Sequence, residues 1–310
     1  MKTTILSEDT IFINKAVATI GFFDGVHRGH QFLLKHVVEL AHENGMKSMA
    51  ITFDKHPRQV LNADYQPQLL TTLDDKLKLL AQTGIDHCVV LPFTKELASL
   101  SAYDFMDKIM RLKLGVAKLL IGYDNRFGHN RSETFDDYVR YGKEMGMEVV
   151  QNTALDVDGI MVSSSVVRRL IANGDVETAA KCLGRYYGLH GIVTSGYHEG
   201  RKIGFPTANI DLGTSCLLAP AGGVYAVNVW LDGESESRVG MLNIGTRPTY
   251  GGEDVSIEVN IFGFAGDIYG QNIRVEFCKR LRSEHKFDNI DQLVNQLKQD
   301  KEQISKLFGL

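Results

Sequence analysis

"TIGFFDGVHRGHQFLL", residues 19–34, decides the fold. An apolar run leaves through Gly21, Asp24, Gly25 and Gly29 within one short turn, and His27 and His30 stand at the threshold of the next element. Residues 16–20 (AVATI) read as a strand; after His30, Leu33, Leu34, Val37 and Ala41 recur at helical spacing until Asn44-Gly45. The stretch is a strand, a turn and a helix. Glycines in such a turn let backbone approach a ligand closely, and the N–H groups at the helix start favour an anion, with phosphate the first candidate. Two imidazoles three residues apart face the same side, so both can donate hydrogen bonds to phosphate oxygens as charge develops in a transition state. A glycine-rich turn with surface histidines, or a histidine pair holding a metal, fits H-x-G-H alone equally well.

The pattern repeats outward from this turn. SMAITF (48–53) restarts a strand, LDDKLKLLAQTG is a helix ending at Gly84, and HCVVLPF, AYDFMDKIMRLKLG and AKLLIG continue the alternation. Repeated strand and helix imply a parallel sheet covered on both faces, with ligands beyond the carboxyl ends of the strands. After a helix near Ser165–Leu183 the pattern changes to period-2 strands: VYAVNVWL (224–231), SRVGMLNIG (237–245), VSIEVNIF (255–262) and IRVEFC (273–278). Asp232-Gly233 joins the first two as a hairpin. An antiparallel barrel follows, closed by an amphipathic helix from about Asp288 to Phe308 with Ile290, Leu293, Leu297, Ile304 and Phe308 near one face. The boundary is expected near Gly184, giving residues 1–183 and 184–310.

Composition narrows the partners. At 310 residues the chain is long enough for two cores, and a net charge of −4 without a Lys/Arg block leaves no electrostatic footprint for nucleic acid or an anionic membrane. Glu8 and Asp9 interrupt any secretory apolar region, no later stretch reaches membrane-span length, and a cytoplasmic protein acting on small molecules is expected. Cys88, Cys182, Cys216 and Cys278 lack CxxC spacing and are expected to be reduced, buried thiols. Oligomeric state is not legible.

A second informative stretch is GIVTSGYHEGRKIGFPTANI, residues 191–210. Gly191, Gly196, Gly200 and Gly204 punctuate a loop suited to wrapping phosphates, Arg201 and Lys202 offer countercharge, and no Walker lysine pattern is present. Thr207 and Asn209 alternate on a strand, so both oxygen-bearing side chains face one way, toward either Mg²⁺ with nucleotide phosphates or bulk water.

The string G-F-F-D-G-V-H-R-G-H resembles the H-x-G-H signature of nucleotidyltransferases, and more specifically the adenylyltransferase module of bacterial bifunctional riboflavin kinase/FMN adenylyltransferases, also called FAD synthetases. TFDKHPRQVL (52–61), LPFTKELASLSAYDF (91–105), GYDNRFGHNR (122–131) and SSSVVRRLIANGDVETAAKCLGR (163–185) extend the resemblance, and G-x-P-T-A-N resembles the hallmark of the riboflavin kinase barrel. MLNIGTRPTY (241–250), SIEVNIFGFAGDIYG (256–270) and FCKRLRSEHKF (277–287) are similar to the rest of that module.

The resemblance implies a Rossmann-like α/β nucleotidyltransferase domain followed by a riboflavin kinase-like antiparallel barrel with a terminal helix. Riboflavin and ATP would give FMN, then FMN and a second ATP would give FAD and pyrophosphate, with Mg²⁺. In the first domain it implies ATP-binding roles for Gly21, Phe22, Asp24, Gly25, His27, His30, Ser163, Ser164, Ser165 and Arg168, although a serine run before a helix is also an ordinary N-cap. His56, Asp124 and Arg126 would lie on the nucleotide or flavin side. In the barrel Gly196, Gly200, Arg201, Lys202, Gly204, Thr207 and Asn209 would bind ATP, Thr207 and Asn209 would hold the metal, and Arg282, Glu284 and Phe287 would meet flavin. Glu258 would be the catalytic base, a surface ion pair being the plainer role for such a residue. Asn125 and Asn260 stand where that family more often has an aromatic residue and a histidine. A single-activity descendant and a flavin-binding sensor are the competing functions.

Overall fold

The computed structural model describes the chain apart from Ala63, Asp124, Tyr197, His198, Tyr250 and Gly251, with the backbone alone at 199, 246–249 and 252–254. It divides into two compact units, Met1–Ser164 and Ser165–Leu310.

In the first unit, strands β1 (Lys2–Ile5), β2 (Ala16–Ile20), β3 (Lys47–Phe53), β4 (His87–Leu91), β5 (Val116–Ile121) and β6 (Glu148–Gln151) form one sheet in the order β1-β4-β3-β2-β5-β6. Every neighbouring pair is parallel. The connecting helices are α1 (Arg28–Glu43), α2 (Pro57–Leu61), α3 (Leu73–Ala81), α4 (Lys95–Ser99), α5 (Ala102–Asp104), which continues as a π-helix over Phe105–Lys113, and α6 (Phe135–Met145). A parallel sheet must be covered on both faces, and the alternation in β2 meets that need. Ala16, Ala18 and Ile20 join Met106, Met110 and Tyr138 in one layer, while Val17 joins Leu34, Val37 and Leu80 in the other. Strand order reverses between β2 and β5, which makes the crevice beyond Ile20 and Ile121 the topological switch point, where ligands of open α/β sheets bind. A two-stranded ribbon, β7 (Asp156–Val157) with β8 (Ile160–Met161), ends the unit.

The second unit begins with two helices, α7 (Ser164–Ala172) and α8 (Val176–Leu183), where the sequence reading had one; Gly174, at φ +78°, separates them. Val176, Ala179, Cys182 and Leu183 are buried on α8, which packs on β14 (Asn272–Arg282) and β9 (Tyr187–Thr194) of the barrel. The division by compactness therefore falls before these helices, whereas the boundary read from sequence falls after them. The barrel closes as β10-β13-β12-β11-β14-β9, with β10 Ala208–Asp211, β11 Gly223–Leu231, β12 Arg238–Thr249 and β13 Gly252–Ile261. Short helix α9 (Glu199–Lys202) lies in the glycine-rich loop, and α10 (Ile290–Phe308) follows β14. Tyr225, Val227, Leu242, Val259, Val275 and Phe277 are fully buried at alternate positions and line the interior. On the other side of the wall, Val224, Ala226 and Met241 are covered by Ile304 of α10. Two expectations need correction: Ile290 is 60% exposed as the first residue of α10, and Cys216, at φ +55° in a loop, is only half-buried while the other three thiols are buried.

Candidate active sites at the two strand ends

The turn after β2 is built by strain and compensation. Phe23, Gly25 and Val26 all have positive φ, at +53°, +77° and +37°, a conformation that a β-branched residue adopts only when its surroundings impose it. What imposes it is the segment at the start of α3. The buried Asp24 carboxylate accepts hydrogen bonds from the Leu70 N–H at 2.9 Å and the Thr71 N–H at 3.1 Å, and the Gly25 N–H donates to Thr71 Oγ1 at 3.1 Å. Asp24 thus holds the turn in shape, and its carboxylate is directed inward to these amides.

His27 is buried and caps α1: its Nδ1 accepts the His30 N–H at 3.3 Å. An accepting Nδ1 leaves the proton on Nε2, so the ring presents a donor at its far end. The rings of His27 and His30 stack at 3.6 Å, and Phe23 meets His30 edge-on at 5.2 Å. A Cβ at Gly29 would lie 3.1 Å from His27 Nδ1 and 3.2 Å from the Val162 carbonyl, so glycine there admits the chain ahead of the serine run. Ser164 then donates its hydroxyl to the Asp24 carbonyl at 3.1 Å. The first unit brings Gly21, Phe22, Asp24, Gly25, His27, His30 and Ser164 together, and His56 joins them through an edge-on contact with Phe22 at 5.0 Å. Ser165 and Arg168 belong to the second unit, one turn apart on α7.

Beyond β5, a cleft of about 300 Å³ is lined by Gly122, Tyr123, Asn125, Arg126, Phe135 and Tyr138, among others. Asn125 Nδ2 donates to the carbonyl of Ile20 at 2.5 Å and so ties this loop to the last residue of β2 at the switch point. Arg126 lines the cleft, while Asp124 lies outside the described residues.

The barrel site forms where β10 and β13 pair. Asn209 lies directly opposite Glu258, Glu258 lies opposite Asn243 of β12, and Thr207 Oγ1 donates to Glu258 Oε2 at 3.1 Å. Ile257 and Val259 are buried on the interior face, which leaves the half-buried Glu258 on the outer face with Asn243 and Asn260. Asn260 Nδ2 donates to the Pro206 carbonyl at 2.7 Å, fixing the residue before Thr207. Close approach explains the glycines: a Cβ at Gly196 would lie 2.2 Å from the side-chain Nδ2 of Asn209, and one at Gly200 2.3 Å from the Phe205 carbonyl. Gly204 has φ +83°, and Arg201 and Lys202 are exposed on α9.

Of the residues expected near flavin, Glu284 lies over Gly245, whose other near neighbour is the Asn243 amide. Arg282 clasps the buried carboxylate of Asp300, with Nη2 at 2.7 Å, and Gln296 donates to the same carboxylate at 2.8 Å. Phe287 packs edge-on against His285 at 5.0 Å and under the Arg282 guanidinium. Sequence reading did not single out Asn243, Thr71, Lys76 or Asp300; only the alternation through MLNIG carried a signal for Asn243. Among the described residues no group of three or more His, Cys, Asp and Glu side chains could hold a metal ion. Mg²⁺ needs only one or two protein oxygens beside phosphates and waters, and the Thr207 hydroxyl and Asn209 amide next to Glu258 are of that kind. Because the Thr207 hydrogen goes to Glu258, its oxygen lone pairs remain for a cation.

Comparison with known proteins agrees with both halves. A family model described as FAD synthetase matches residues 10–166, and one described as riboflavin kinase matches residues 183–308. The bifunctional riboflavin kinase/FMN adenylyltransferase of Bacillus subtilis is 38% identical over 302 residues, which span 95% of this chain and 93% of the relative. That of Escherichia coli K12 is 36% identical over 294 residues, with coverage of 95% and 93%. A crystal structure described as a macrolide-efflux protein from Streptococcus pneumoniae has a TM-score of 0.87 at 31% identity, covering 97% of each chain. Two catalytic modules in one chain, matched in order and over nearly the full length of both relatives, mean that the chain belongs to the bifunctional riboflavin kinase/FMN adenylyltransferase family and makes FMN and then FAD.

Proposed function

We propose that the two reactions are divided between the halves, with adenylyl transfer in residues 1–183 and riboflavin phosphorylation in residues 184–310, and that named side chains carry each step. In the first half the FMN phosphate attacks the α-phosphorus of ATP and pyrophosphate leaves. The His27 Nε2–H and the His30 ring stabilise charge on the transferring group, the turn around Gly25 cradles the phosphates, and Ser163, Ser164, Ser165 and Arg168 clamp them from the second motif. His56, Asp124 and Arg126 serve the nucleotide and flavin side.

In the barrel, Glu258 accepts the proton of the terminal ribityl hydroxyl as that oxygen attacks the γ-phosphorus of ATP. The loop with Gly196, Gly200, Arg201, Lys202 and Gly204 carries the phosphates, and Arg282, Glu284 and Phe287 stand on the flavin side. Thr207 and Asn209 would hold Mg²⁺, which when bound neutralises phosphate charge. The observation that carries this reading is the 3.1 Å bond from Thr207 to Glu258 with Asn209 directly opposite: a base and two oxygen donors at one point of the barrel wall. We place the enzyme in the cytoplasm, with riboflavin, FMN and ATP as its small-molecule partners. The four thiols, none in a disulfide, suit that compartment, and no helix among the described residues is long and apolar enough to cross a membrane.

The test is independence of the two sites in the full chain. Replacing His27 or His30 by Ala slows FMN adenylylation by roughly tenfold to a thousandfold, the scale of a lost transition-state donor, and spares riboflavin phosphorylation. Equal loss of both activities would refute the assignment.

A further inference from the structure

Lys76, on α3, is only 3% exposed, yet it neither salt-bridges at the surface nor belongs to either motif. Its Nζ donates to the Phe22 carbonyl at 3.1 Å and to the Phe53 carbonyl at 2.9 Å, and it stands 4.3 Å from the centre of the Phe22 ring. Thr52 Oγ1 donates to the same Phe22 carbonyl at 3.1 Å. Both lone-pair directions of that oxygen are therefore engaged on the side facing β3 and α3. The Phe22–Phe23 peptide is trans, so the Phe23 N–H points opposite to the Phe22 carbonyl, away from Lys76. Phe23 is itself left-handed, at φ +53° and ψ +34°, and while the Gly25 N–H goes to Thr71 Oγ1 at 3.1 Å and the Val26 N–H to the Phe23 carbonyl at 3.1 Å, the Phe23 N–H is the one whose direction the Phe22–Phe23 peptide sets. Without a partner on the far side, the Phe22–Phe23 peptide has no reason to keep this orientation, and flipping it would aim a carbonyl dipole at the phosphates.

We propose that Lys76 is a positioning residue for adenylyl transfer: with Thr52, it holds the Phe22 carbonyl so that the strained turn presents the Phe23 N–H to the triphosphate. This inference rests on the reading of residues 21–30 as the triphosphate turn. The ionisable groups facing Lys76 are Asp24 in the turn, Asp54 beyond β3 and Cys88 on β4, and burial outweighs their favourable charge, lowering the ammonium from 10.5 to about 8. A lowered value means that the charged, strongest-donating form is present below about pH 8 and is lost above it. The grip on the Phe22 carbonyl accordingly weakens as pH rises through that range.

The experiment uses the full chain, assayed for FMN adenylylation and riboflavin phosphorylation in the same preparation. Lys76→Met keeps the length and apolar bulk but removes both bonds; it is expected to lower kcat/KM for ATP in adenylylation tenfold to a hundredfold, with phosphorylation within twofold. Thr52→Val, of the same shape, is expected to lower it several-fold, and the double variant to fall short of the product of the two effects, because both act on one carbonyl. In the parent, kcat/KM for ATP in adenylylation falls several-fold as pH is raised from 7 to 9, and this step is absent from Lys76→Met. Should Lys76→Met not fold, the Thr52→Val effect and the parental pH step decide the matter. Additive effects, or a pH step unchanged in Lys76→Met, would overturn the proposal. If His27→Ala and His30→Ala leave adenylylation at the parental rate, the triphosphate reading fails and this inference with it. If they slow it while Lys76→Met and Thr52→Val do not, only the role of Lys76 is lost.

Discussion

Thr207 donates its hydroxyl hydrogen to Glu258 across 3.1 Å, joining residues that are 51 positions apart in the chain. The bond keeps the carboxylate on the outer face of the barrel, beside Asn209. Glu258→Gln keeps the size and still accepts from Thr207 but cannot take a proton, so riboflavin phosphorylation is expected to fall by about a hundredfold or more, the range for general-base loss starting there. Riboflavin binding and FMN adenylylation survive. Full phosphorylation by the Gln variant at every Mg²⁺ concentration would remove Glu258 from the mechanism.

Gly196 lies against the Asn209 amide, and a Cβ there would come within 2.2 Å of Nδ2. Gly196→Ala should therefore push Asn209 off its place and lower phosphorylation at least tenfold, while Asn209→Ala should raise the Mg²⁺ concentration for half-maximal rate. A Mg²⁺ titration of initial FMN formation checks both. Parental Mg²⁺ dependence in Asn209→Ala would rule out the proposed ligand.

Asn260 supplies the donor that fixes the Pro206 carbonyl at 2.7 Å, and its side chain is buried. Removing one partner of a buried hydrogen bond costs about 1–3 kcal/mol. Asn260→Ala is expected to lose that much stability in the barrel and to slow phosphorylation about tenfold through the released Thr207. Chemical denaturation monitored by the emission of Trp230, the single tryptophan, on β11, measures the first, and initial rates the second.

Truncation separates the two possible boundaries. A fragment starting at Ser165 keeps α8, whose Val176 and Leu183 are fully buried, and side chains of this kind contribute about 1.5–3 kcal/mol each. That fragment should fold, phosphorylate riboflavin, and melt several degrees above one starting at Gly184. Equal melting temperatures would put the boundary at Gly184.

Much of this protein was legible in local pattern. The period-3.6 run after His30 and the period-2 runs after His190 follow from which side chains must be buried, so α1 and the barrel strands occupy the expected places. The glycines also declared themselves, because a turn that needs positive φ or a close backbone approach excludes side chains wherever it is folded. The helix break at Gly174 was missed because α7 and α8 are both amphipathic, and the periodicity runs on through the turn. Only the tertiary structure decided which distant groups meet: Asp24 with Leu70, Lys76 with Phe22 and Phe53, Arg282 with Asp300. Each contact depends on strand order, register or helix placement, which arise from the simultaneous burial of whole faces rather than from neighbours in sequence. Candidate residues for the two proposed sites could thus be named from the chain alone, while Asn243 opposite Glu258 and Lys76 beside the turn after β2 emerged once the barrel had closed and the parallel sheet had stacked.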